Sequence, residues 1–293
     1  LPSSSFSAVI SFVVLCRGGR YIHRMKGKTV LLTGAPGGIG RCVALALAKL
    51  GAHIIAHARS DEKAAPLVDE IKKAGGSAEA IGFELDSIKA VREAARTLRE
   101  RHARLDVLIN NAAIWNGTRQ LSADGFEKTW AVNVLAPYIL MEELLEPLRA
   151  ASGRVVNLSS NEHFLGRINW DDLQFEKGYA ARYAYRRSKL ALTMLTNELA
   201  ARESGITANS LHPGVSGTGL FRNFPKFIQF WTWLLMRSPE GCAAPIIRLA
   251  SAEDVEGTTG KFFRRFNIRK PHRLARDLDA CKRMRDIVSS HVK

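Results

Sequence analysis

A chain of 293 residues that is 46% hydrophobic suits one large α/β domain, since single-core folds of that class reach 250 residues or more. Its net charge of +15 lies mostly at the ends: residues 1–28 and 261–293 hold 13 of those charges, and residues 29–260 carry only +2. That distribution argues against a nucleic-acid-binding core, whose phosphate-tracking charge would run across the fold. Cys16, Cys42, Cys242 and Cys281 stand far apart with no C-x-x-C pair, so neither a metal site nor a disulfide framework is indicated, and a reducing, cytoplasmic setting is expected.

Residues 6–16 form an apolar run too short to cross a bilayer as a helix, followed by Arg17, Arg20 and Arg24. Met25 directly precedes Lys26-Gly27-Lys28-Thr29-Val30, where the first strand is expected. Residues 1–25 are therefore set apart as an extension. Either it is a short anchor or signal remnant, or it lies outside a native protein that begins at Met25.

Beyond it, short apolar strands alternate with helices. Thr29–Thr33 reads as a β-branched first strand, and Gly38–Leu50 as an Ala/Leu-rich helix stopped by Gly51. His53–His57 is the second strand, and Asp61–Lys73 a charged amphipathic helix with Gly75-Gly76 beyond its end. The strand Ser77–Phe83, a helix after Asp86 and the strand Asp106–Ile109 continue the series. A long helix around Asn133, the strand Arg154–Leu158, a helix over Tyr185–Ala201 and the strand Ile206–Leu211 follow, with β-type residues again at Gly260–Phe263. This order predicts a single Rossmann-type domain over 26–265, a doubly wound parallel sheet with helices on both faces. The basic segment 266–293 is either solvated charge or a stretch that seeks an anionic surface.

The first strand runs into Thr33-Gly34-Ala35-Pro36-Gly37-Gly38-Ile39-Gly40 and then a helix. Glycines there let the backbone approach a pyrophosphate, whose charge is favoured by the free N–H groups and dipole of the helix N-terminus. At the end of the second strand, Arg59 precedes the first carboxylate, Asp61. An acid there would bind a ribose 2′-OH, whereas a guanidinium suits a 2′-phosphate, so NADP(H) is expected over NAD(H). The alternative is that Arg59 only starts the next helix on the surface.

Among five tyrosines only Tyr185 has a lysine four residues later, Lys189. On a helix the two share a face, and the ammonium is expected to lower the phenol pKa from its usual ~10 toward working pH. A phenol so tuned exchanges a proton with a carbonyl or alcohol oxygen. Upstream, at a strand end, Ser159-Ser160 offers a hydroxyl to hold that oxygen.

The loop spacing Gly34-x-x-x-Gly38-x-Gly40 resembles the T-G-x-x-x-G-I-G loop of the short-chain dehydrogenase/reductase family, and Tyr185 to Lys189 is similar to its Y-x-x-x-K pair. The resemblance implies that Gly34, Pro36, Gly38, Ile39 and Gly40 hold the cofactor, that Asp86 faces the adenine, and that Asn110 and Ala112 line the cofactor. Asn110-Asn111-Ala112-Ala113 looks like the family's N-N-A-G, with Ala113 replacing the glycine. Ser160 is implied as the catalytic serine, Ser159 being the runner-up, and Asn133 as a fourth member. Pro137, four residues on, has no N–H, so the Asn133 carbonyl is expected to be free for a water that leads protons toward Lys189. Pro213, Gly214, Val215 and Thr218 match the family's P-G-x-x-x-T segment beside the nicotinamide, where Tyr185 and Lys189 also reach the cofactor. His212 is not expected to be a base, since Tyr185 fills that role.

Residues 219–238 resemble the family's substrate lid, and their aromatic density suits a bulky apolar substrate, a membrane or partner surface, or plain core packing. The stretch between Ser160 and Tyr185 is longer than usual and looks like the retinol-dehydrogenase-like branch. The resemblance thus implies an oxidoreductase acting on a carbonyl or alcohol of a hydrophobic substrate: retinal-like, lipid aldehyde, steroid or xenobiotic ketone. Peripheral membrane contact and homo-oligomerisation are compatible with it. The alternative is a non-catalytic dinucleotide-binding regulator of the same fold.

Overall fold

The computed structural model describes residues 25–215 and 238–293; residues 1–24, Thr218 and the expected lid up to residue 237 lie outside them. Eight strands form one sheet in the order β3-β2-β1-β4-β5-β6-β7-β8. They are β1 (Thr29–Leu32), β2 (His53–Ala58), β3 (Ser77–Gly82), β4 (Val107–Asn110), β5 (Arg154–Leu158), β6 (Thr207–His212), β7 (Phe262–Arg264) and β8 (Asn267–Arg269). Every neighbouring pair is parallel except β7 with β8. Because β1 pairs with β2 on one side and β4 on the other, the strand order reverses there, and a crevice opens at the C-terminal strand ends.

Successive apolar residues in a strand serve opposite faces. Val30, Leu32, Ile54 and Ile109 pack under helices α1 (Gly38–Lys49) and α2 (Asp61–Lys73), whereas Leu31, Ile55 and Leu108 join the core of α3 (Ile88–Arg101) and the later helices. Both faces being covered explains why these strands are apolar throughout rather than alternating.

The long helix expected around Asn133 is broken. One turn, Lys128–Trp130, leads into a π-helical turn, Ala131–Leu135, then α4 (Ala136–Glu143) and α5 (Leu145–Ala151). Pro137 lies in the first turn of α4 and offers no N–H to Asn133, and in the π turn ahead of it Ala136 N–H bonds the Ala131 carbonyl. Pro147 cannot donate to Glu143, and that carbonyl instead accepts from Arg99 Nη1 at 3.2 Å.

The longest helix, α6 (Ala181–Arg202), is buried over most of its length. After α7 (Pro239–Ser251) and the β7–β8 hairpin come a short α8 (Arg273–Arg276) and α9 (Leu278–His291). Cys281, Met284 and Val288 on α9 are fully buried in the same core as Leu190 and Met194 of α6. The segment 266–293 is thus part of the domain, and the boundary expected after 265 separates nothing. Its charge is partly paired: Arg285 reaches Glu198 at 2.8 Å, and Arg283 lies over the Trp170 ring at 4.3 Å. Among the described residues no helix is long and apolar enough to cross a membrane.

Candidate active site

The loop after β1 is shaped by contacts that exclude side chains. Gly34 has φ +64°, and a Cβ on Gly40 would lie 2.4 Å from the Gly34 carbonyl oxygen. No side chain caps the first N–H groups of α1, and no acid lies in its first turn. Two neighbours brace the loop. His57, buried at the end of β2, accepts from Gly34 N–H through Nδ1 at 3.1 Å and donates from Nε2 to the Phe83 carbonyl at 3.0 Å. Burial holds its pKa down to about 4, so this neutral tautomer persists. Asn111 Nδ2 donates to the carbonyls of Thr33 at 2.8 Å and Gly34 at 3.3 Å, while Thr33 Oγ1 accepts from the N–H groups of Asn111 and Ala112.

Around this loop, Arg59 is exposed just past β2 and makes no ion pair with any described residue. Asp86 is paired with Lys128 at 2.9 Å. The Asn110 side chain is not turned to the loop; it donates to Asn157, whose own amide donates to Thr196 Oγ1 at 2.8 Å. Asn111 therefore makes the loop contacts. Past β6, Pro213 is buried, Gly214 has φ +122° and Val215 is exposed.

The second candidate cluster gathers at the ends of β5 and β6 and on α6. Tyr185 is 6% exposed and lies beside the Ser160 side chain, whose Oγ accepts the Glu162 N–H at 3.2 Å. Ser159 is directed elsewhere, bonding Thr193 Oγ1 at 2.8 Å and the Lys189 carbonyl at 3.2 Å. Lys189 is fully enclosed; its Nζ donates to the Leu158 carbonyl at 2.8 Å and lies 5.6 Å from the Tyr185 ring centroid. Asn133, on the π turn, clasps both main-chain groups of Ile114 and donates to Ser188 Oγ at 3.1 Å, one helical residue from Lys189.

The electrostatics here correct one expectation. Burial pushes the Tyr185 phenol up to about 12, with the Ser160 side chain opposing and Glu162 assisting the shift. Lys189 is itself pushed down to about 7 by burial. A low-dielectric enclosure disfavours both charged forms, so the phenol is shifted up rather than down. His212 is likewise held neutral, its pKa down to about 4, chiefly through burial and then Arg264.

Residues 28–228 match the short chain dehydrogenase family. The chain belongs to that family. Retinol dehydrogenase 13 of Mus musculus is 37% identical over 97% of this chain and 91% of its own length. Retinol dehydrogenase 14 of Homo sapiens is 39% identical over 82% and 78%. The structure of Pseudomonas aeruginosa RhlG in an NADP active-site complex superposes with a TM-score of 0.68 at 29% identity, covering 83% of this chain and 97% of that one. This short-chain dehydrogenase is thus an oxidoreductase of the retinol-dehydrogenase-like branch.

In this short-chain dehydrogenase the long stretch between Ser160 and Tyr185 is held down by the residues between Tyr185 and Lys189. Arg186 pairs with Glu162 at 2.6 Å. Arg187 donates to the carbonyls of Arg167 and Asp172 and lies 3.6 Å over the Phe175 ring. Trp115 stacks on the Tyr185 ring, centroids 4.8 Å apart and planes 18° from parallel. His57, Asn111, Trp115 and Ser188 were absent from the sequence-based site. Asn111 lies inside a recognised motif, but nothing in the spacing of the other three signals a role.

Proposed function

We propose that this short-chain dehydrogenase uses NADP(H) to interconvert a carbonyl and an alcohol on a small hydrophobic substrate, with Tyr185 exchanging the proton. The observation that carries the reading is buried Tyr185 with half-buried Ser160 beside it and Lys189 enclosed behind, at the sheet edge that also bears the glycine loop. The residues suit a dinucleotide. The loop leaves no room for a Cβ at Gly40, and among the described residues no side chain caps the N-terminus of α1 and none pairs with the Arg59 guanidinium, which stands just past β2 on the side proposed for a 2′-phosphate.

In this reading the amides of Gly38, Ile39 and Gly40, on a turn shaped by Gly34 and Pro36, hold the pyrophosphate. Asp86 and Ala112 flank the adenosine side, and Pro213, Gly214, Val215 and Thr218 the nicotinamide side. The bound cofactor supplies the hydride in reduction and accepts it in oxidation. Ser160 donates to the substrate oxygen and fixes its position. Tyr185, a neutral phenol at working pH, gives that oxygen its proton as negative charge develops. Lys189, poised near neutrality, returns a proton to the phenol, replenished through water at the Asn133 carbonyl. The balance is one carbonyl, one NADPH and one proton consumed for one alcohol and one NADP⁺.

Relatives named retinol dehydrogenases support an apolar substrate such as a retinal-like or lipid aldehyde. The test is NADPH oxidation against aldehydes and ketones of graded hydrophobicity, with Tyr185→Phe as control. Turnover that rises with substrate hydrophobicity and vanishes in the variant is expected; no turnover on any compound would favour a dinucleotide-binding regulator. Peripheral contact with an anionic membrane through the basic ends belongs to the same reading, and sedimentation with anionic vesicles tests it.

A further inference from the structure

Ser160 works only if its main chain is fixed, because its hydroxyl must meet both the phenol and a substrate oxygen. The structure holds that main chain through an imidazole. His163, 0% exposed, has Nδ1 2.6 Å from the Ser160 carbonyl, which also accepts the His163 backbone N–H at 3.1 Å. On the ring's far side, Nε2 accepts the backbone N–H of His272 at 3.3 Å. With both nitrogens engaged, only the neutral tautomer protonated on Nδ1 fits. The rings of Phe164 and Phe262 pack against the imidazole, centroids 4.0 and 4.3 Å away, and fix its plane. The turn itself is pressed onto α6: a Cβ on Gly166 would meet Leu190 Cβ at 2.8 Å and the Arg186 carbonyl at 2.9 Å.

We propose that His163 is a positioning residue that fixes Ser160 and ties it to the C-terminal part of the chain through the His272 amide. The serine is then held from two directions, its hydroxyl by the Glu162 N–H at 3.2 Å and its carbonyl by a rigid imidazole strut. This rests on the reading of Ser160 given above.

The experiment compares His163→Leu, His163→Asn, Ser160→Ala and the Ser160→Ala/His163→Leu double variant in NADPH-dependent carbonyl reduction, with NADPH affinity by calorimetry. His163→Leu should lower kcat by about tenfold or more, as expected for a displaced reacting group. Its NADPH affinity should stay within about twofold. His163→Asn, whose amide N–H can replace Nδ1–H, should recover much of kcat. The double variant should be no slower than Ser160→Ala, because the strut acts through that hydroxyl. Should His163→Leu fail to fold, His272→Pro carries the test: it deletes the amide donor at a φ of −49° that proline accommodates, and kcat should fall without loss of NADPH binding. Wild-type kcat in His163→Leu, or rate losses that multiply in the double variant, would overturn the proposal. Wild-type turnover by Ser160→Ala would instead overturn the reading of Ser160 itself.

Discussion

The loop between β1 and α1 works through main-chain groups, whereas the corner around Tyr185 works through side chains that the fold has taken out of water. In the loop, selectivity comes from what is missing: no Cβ at Gly40, no cap on α1, no acid in its first turn. In the corner it comes from enclosure, since Tyr185, Ser159 and Lys189 are buried polar groups that each need a partner. The two regions should therefore fail differently, the first by steric exclusion of the cofactor and the second by loss of a proton path.

The sharpest break is Tyr185→Phe, which should cut turnover on the order of 10²–10⁴-fold while leaving NADPH affinity intact, as steady-state kinetics and calorimetry would show. Next comes Gly40→Ala against Gly37→Ala. The first puts a Cβ 2.4 Å from the Gly34 carbonyl oxygen and should cost about 1–3 kcal/mol of stability together with NADPH affinity; the second meets that oxygen at 3.6 Å and should be tolerated. Thermal unfolding with and without NADPH reads both. Arg59→Ala should raise the KM for NADPH by about tenfold, the loss of a charged hydrogen bond, and leave that for NADH nearly unchanged.

Lys189 carries the pH dependence. Its folded-state pKa of about 7 lies below its unfolded value, so between about pH 7 and pH 10.5 the unfolded chain binds more protons than the folded one. Stability contributed by this site therefore rises with pH across that window. Wild type should gain on Lys189→Met in denaturant titrations run from pH 7 to pH 10, and a constant difference would show that the lysine is not desolvated.

The same contrast governs what the sequence could reveal. Main-chain work leaves a spacing: Gly34, Gly38 and Gly40 are legible because only glycine fits, and strand positions were legible because apolar runs alternate with capped or glycine-stopped helices. Tyr185 and Lys189 were legible as i, i+4 partners, but the direction of their pKa shifts was not, because it depends on how completely distant segments enclose them. His57 and His163 act by bonding backbone groups far along the chain, and no local pattern announces that. The helix α9 was hidden differently. Cys281, Met284 and Val288 recur at helical spacing, yet eleven basic residues in 261–293 drew the reading toward solvated charge. The break between α4 and α5 was foreshadowed by Pro147, whose effect on Glu143 is local.

The stack of Trp115 on Tyr185 also has an optical side. An indole in van der Waals range of the phenol proposed to exchange the proton is a fluorophore placed at that candidate site. Ionisation of the phenol would open an energy-transfer route from the indole, and a substrate entering beside it would change the indole's surroundings. With Trp130, Trp170, Trp231 and Trp233 replaced by phenylalanine, emission from Trp115 would report ligand arrival and phenolate formation in real time, with no label attached.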